Sequence, residues 1–115
     1  MRIIKELVLL DNASPGDQSN EIGNVNCDIL SLAVLGESAG DYKVILEGSI
    51  TKDAPFVPIA VFPLTTYKIV NGDEGMTEDN IYETGIEGLY SVRVTLDASS
   101  TVNVSVYARF INSSI

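Results

Sequence analysis

A chain of 115 residues is the size of one domain, with a single core expected to bury roughly two-thirds of the surface its unfolded form exposes. With 45% hydrophobic and 20% charged residues it lies far from the composition of disorder, so it should fold. A formal charge of -9, from 7 Lys and Arg against 16 Asp and Glu, repels phosphate backbones and gives no support for an anionic membrane surface, so nucleic acid is excluded as a partner.

The opening RIIKELVLL fits a helical face at Ile3, Ile4, Leu7 and Val8 but not at Leu9 and Leu10, and it is taken as a strand. Lys5 and Glu6 interrupt the apolar run and no small-residue cleavage site follows, so a secretory leader is not expected, and no stretch approaches 18 uninterrupted apolar residues. DNASPGDQSNEIGN, rich in Asp, Asn, Ser, Pro and Gly, predicts a long loop. VNCDILSLAVLG alternates at first, with Val25, Cys27 and Ile29 on one side and Asn26 and Asp28 on the other, and is read as a strand closed by Gly36. Cys27 is the only cysteine, so no intrachain disulfide forms, and beside Asp28 it reads as a small buried hydrophobe.

GESAGD predicts a turn, and DYKVILEGSITK a strand with Tyr42, Val44 and Leu46 inward and Lys43, Ile45 and Glu47 outward. In KDAPFVPIAVFPL three prolines, Pro55, Pro58 and Pro63, remove backbone donors, which confines the run to an edge strand, a bulge or a segment crossing between sheets. TTYKIV and the polar loop NGDEGMTEDN follow, then the short strand IYETG. LYSVRVTLD places Tyr90, Val92, Val94 and Leu96 on one face, and TVNVSVYARFI places Val102, Val104, Val106, Ala108 and Phe110 on one face. DASS between them is hairpin-sized, which predicts that these two strands pair antiparallel.

Seven or eight short strands without a convincing helix predict an all-β fold, an antiparallel β-sandwich forming one domain over residues 1–115. Phe56, Val57, Pro58, Ile59, Val61 and Phe62 cannot all face one core, so part of this run is expected to contact another copy of the chain.

Zero histidines remove the commonest general base, the Ser-His-Asp and Cys-His arrangements and the usual zinc ligand. No enzyme is expected, no catalytic residue is assigned, and no metal or cofactor. Asp11, Asp17 and Glu21 in one loop, and Asp73, Glu74, Glu78 and Asp79 in another, offer oxygen ligands of the kind calcium takes, but neither loop has the spaced arrangement of a dedicated calcium loop. Phosphate-binding glycine motifs are absent from the sequence.

Four stretches in this order, LLDNAS, then LAVLG with GDYKVILEGSITKDAPFVPIAV, then TGIEGLYSVRVTL, then TVNVSVYARF, carry a resemblance. The chain resembles the small β-sandwich proteins of tailed phages and prophages, of the type formed by YomS and the C-terminal half of XepA in a Bacillus prophage lytic cassette. That resemblance implies a C2-like antiparallel sandwich and a homo-oligomer, a pentameric disc around a tunnel, with no catalytic residue. It also implies a phage accessory role in lysis or virion structure, located in the host bacterial cytoplasm or the virion. Two alternatives remain open: a carbohydrate- or receptor-binding tail module using the GDEG and SPGD loops, and a calcium-dependent membrane-surface domain.

Overall fold

In the computed structural model, which describes residues 1–114, the chain forms two antiparallel sheets and, among the described residues, no helix. Six strands carry the structure: β1 (Arg2–Ala13), β3 (Ile29–Gly36), β4 (Val44–Ser49), β7 (Asn80–Gly85), β8 (Ser91–Leu96) and β9 (Val104–Asn112). Three two-residue pieces, β2 (Ile22–Gly23), β5 (Val57–Pro58) and β6 (Phe62–Pro63), lie at sheet edges. One sheet runs β1-β9-β3-β7-β6 and the other β2-β8-β4-β5. The all-β sandwich expected from the sequence is the observed architecture.

The core fills the space between the sheets. From the five-stranded sheet come Leu30, Leu32, Val34, Tyr82, Val104, Val106, Ala108 and Phe110, and from the four-stranded sheet Val44, Leu46, Val92, Val94 and Leu96, all buried. The alternation read from DYKVILEGSITK and from the last two strands sets which side chains turn inward, as a period of two requires. Where β4 meets β8, Ser49 and Ser91 stand opposite each other, and their buried hydroxyls satisfy one another at 2.8 Å.

Two local expectations are corrected. The strands LYSVRVTLD and TVNVSVYARFI do not pair: β8 lies between β2 and β4 in one sheet, and β9 between β1 and β3 in the other. Ser100 N–H closes a turn on Asp97 O at 3.0 Å, and Thr101 N–H then donates to Asp41 O, carrying the chain across the sandwich as an arch. Their apolar faces meet across the core instead of lying side by side, an arrangement that alternation alone does not distinguish from a hairpin.

The second correction concerns the phase of VNCDILSLAVLG. Leu30, Leu32 and Val34 turn inward, while Val25 is exposed. A turn intervenes: Asn24 accepts from Cys27 N–H, its amide donates to Cys27 O and Ile86 O, and Asn26 has a φ of 58°. Cys27 is buried behind that turn, and burial pushes its thiol pKa up, which keeps it unreactive.

Candidate functional site

The proline-interrupted run is the segment that leaves one sheet and joins the other. Its first half, β5, is the outer edge of the four-stranded sheet, paired with β4 through Glu47 opposite Pro58 and Gly48 opposite Val57. Its second half, β6, is the outer edge of the five-stranded sheet, paired with β7 through Phe62 opposite Glu83 and Pro63 opposite Tyr82. Pro58 and Pro63 thus occupy the positions where a missing N–H breaks no ladder. Ile59 N–H bonds Leu46 O at 2.8 Å on one side, and Leu64 N–H bonds Ile81 O at 2.9 Å on the other. Between them Thr84 Oγ1 donates to Ala60 O, and Val61 exchanges both backbone bonds with Val70.

The six residues expected to form a contact surface separate into three groups. Val61, 2% exposed, is core, and Ile59 packs against the core, into space left by Gly48, which has no side chain. Val57 at 61% and Phe62 at 38% stand in solvent, and Pro58 is exposed beside Val57. Phe56 is half-buried because the Arg93 guanidinium lies 4.0 Å from its ring centre, and Arg93 is held in turn by Glu47 at 3.3 Å. Thr95 also donates to Glu47, and Gln18 donates to Thr95.

Other exposed apolar residues were not singled out from the sequence. Tyr67, 73% exposed with a φ of 56°, shares a shallow depression of about 270 Å³ with Phe62, Leu64, Ile29 and Thr84. TTYKIV carries no periodicity that would have marked it. Ile81 on β7 and Tyr107 on β9 are also exposed, and in Tyr107 the strand alternation did signal an outward side chain.

The loops proposed for ligands serve packing roles in the fold. In SPGD, Gly16 N–H and Asp17 O bond the two backbone groups of Leu96, and Ser19 bonds Val94 on the same edge, so this loop runs along β8 as an added strand. In GDEG, Gly72 lies against the backbone of Pro58 and Ile59, and Gly75 against Val44 O. Met76, buried at 1%, exchanges two backbone bonds with Val44. Asp79 closes the same loop onto the β3 to β4 turn, accepting from Gly36 N–H at 2.8 Å and from the Tyr42 hydroxyl at 2.7 Å. These bonds hold the Asp79 carboxyl below its ordinary pKa, the Gly36 amide contributing most; burial, then the Asp79 carboxylate, push the Tyr42 phenol far up. Among the described residues no three Asp, Glu or Cys side chains converge as a metal-holding group.

A small antiparallel sandwich with two short proline-bearing edges at one corner is the class this chain defines. No family model matches it, and no curated protein does. Its fold is similar to the crystal structure of the SPBc2 prophage-derived protein YomS, with a TM-score of 0.78 over 92% of this chain and 90% of that one, at 15% sequence identity. The likeness shows a shared fold.

Proposed function

We propose that this chain is a non-enzymatic phage or prophage accessory protein that works as a homo-oligomeric disc, in lysis or in virion structure. The observation that carries the oligomer is the β5–β6 corner, where two sheet edges end side by side in two-residue strands with Val57 and Phe62 in water. Short edges with exposed apolar side chains are sites that chains cover, and a second copy of the same chain is the commonest cover. A head-to-tail contact through such a corner closes into a ring when its rotation permits, and a pentamer is the form the family resemblance implies. The phage role draws on the prophage origin of YomS, the protein with the similar fold.

Light scattering on the purified chain tests the assembly. The wild type should run at several times 12.4 kDa, and Val57→Asp, a charge placed on an exposed edge where the fold tolerates it, should lower that mass. An unchanged mass in Val57→Asp would remove the β5 edge from the contact.

A further inference from the structure

The outward face of the five-stranded sheet carries two rows of side chains fixed by strand register. In one row Arg109 of β9, Ser31 of β3 and Glu83 of β7 stand level, flanked by Glu6 of β1. In the next, Tyr107, Ala33 and Ile81 stand level, flanked by Val8 on β1 and by Leu64, whose N–H bonds Ile81 O. Both rows line one open groove of about 470 Å³. Within these two rows the central strand contributes only the small Ser31 and Ala33, with Ile29 and the exposed Leu35 on the same face beyond them at either end, while the other large and the charged side chains of the two rows lie on the strands to either side.

We propose that this face is a two-fold contact between two copies of the chain, with the symmetry axis lying along β3. Rotation about such an axis exchanges β9 with β7, so each side chain on β9 meets one on β7 of the second copy. Arg109 then meets Glu83 of the second copy, and Glu83 meets Arg109, while Tyr107 meets Ile81 twice. Val8 on β1 meets Leu64 at the outer rim, and Ala33 and Ser31 meet themselves on the axis, where small side chains let the two sheets approach to about 10 Å.

The charge pattern selects a second copy as the occupant. Arg109 already holds Glu6 at 3.0 Å, and Glu83 accepts from the Ser31 hydroxyl at 3.1 Å, so the first row carries one cation and two carboxylates, and the two-fold sets the Arg109 of each copy opposite the Glu83 of the other. A copy of the same face is complementary to it in charge and in apolar surface at once, which is what an isologous interface requires. An uncharged lipid surface would strip water from Glu83 and from the Arg109–Glu6 pair and supply no opposite charge in return. The contact goes beyond the edge-mediated ring and is centred on β9, β3 and β7, touching β6 only at its rim.

Sedimentation velocity in a Val57→Asp background, where the edge contact is disabled, tests this face by itself. The expected result is a monomer–dimer equilibrium. Glu83→Arg and Arg109→Glu each place like charges opposite one another and should weaken the dimer by about tenfold or more. The double swap, Glu83→Arg with Arg109→Glu, should recover most of that loss, a result that general destabilisation does not produce. Ala33→Arg, at the axis, should abolish the dimer, with far-ultraviolet circular dichroism confirming that it remains folded. Absence of any dimer, a double swap no better than either single variant, or a folded Ala33→Arg that still dimerises would each overturn the proposal. Binding of phosphatidylcholine vesicles by this face without self-association would do so as well. Loss of the ring in the Val57→Asp chain with the dimer intact separates the two contacts.

Discussion

Gly72 is the tightest point between the GDEG loop and the proline-bearing edge. A Cβ built there would lie 2.6 Å from the carbonyl carbon of Pro58 and 2.8 Å from Ile59 N, both backbone atoms that no rotamer change can move aside. Relief requires the loop and β5 to part. β5 is tied down by the 2.8 Å bond from Ile59 N–H to Leu46 O, and the loop by the two bonds between Met76 and Val44, 2.8 and 2.9 Å. One of these contacts must stretch, at about 1 kcal/mol net for a backbone bond, on top of the strain of overpacking, typically 1–3 kcal/mol. Gly72→Ala should therefore destabilise the fold by about 2–4 kcal/mol, which for a domain of this size lowers the melting temperature by roughly 8–16 °C. Thermal unfolding followed by far-ultraviolet circular dichroism, at one fixed protein concentration because self-association raises the melting temperature, measures it. Gly23→Ala is the control: nothing lies within 4 Å of its added Cβ, and it should stay within about 0.5 kcal/mol of wild type. A Gly72→Ala protein as stable as the Gly23→Ala control would refute the close packing of loop and edge.

Other perturbations follow from the same geometry. Because Gly36 and Tyr42 hold the Asp79 carboxyl below its ordinary value, its bonds add stability above about pH 4 that is lost as pH falls through the depressed folded value. Asp79→Ala should thus lower the melting temperature more at neutral pH than in acid below about pH 4; a gap of the same size at both would contradict the assignment. Ser49→Ala leaves the buried Ser91 hydroxyl without its partner and should cost about 1–2 kcal/mol, while Ser49→Ala with Ser91→Ala should cost less than the two single changes added together. Chemical denaturation of the three variants checks this, and strict additivity would show that the hydroxyls do not depend on each other.

Much of the sandwich was legible because its strands alternate cleanly. Val92, Val94 and Leu96, and Val104, Val106, Ala108 and Phe110, announce their buried faces without any knowledge of the fold. Alternation fixes the face of a strand and is silent on its neighbour, which is why DASS reads as a hairpin although the chain crosses there to the other sheet. The prolines placed their segment correctly at a border, since an absent N–H is a backbone fact that survives any topology. Asn24 was opaque: its side chain builds the turn that resets the phase of β3, and that requires Ile86 from a distant loop. For the candidate surface, the sequence marked Val57 and Phe62 along with Val61 and Ile59, because hydrophobicity does not reveal that Gly48 opens a place for Ile59 inside. The level rows on the five-stranded sheet depend on register between β9, β3 and β7, segments far apart in the chain, so no local pattern carries them.

Self-assembly is the claim on which the functional account turns, and native mass spectrometry of the purified wild-type chain measures it most directly. The account predicts a discrete species at a whole-number multiple of 12.4 kDa, which Val57→Asp reduces to a smaller one. A single species of 12.4 kDa at every protein concentration would contradict it.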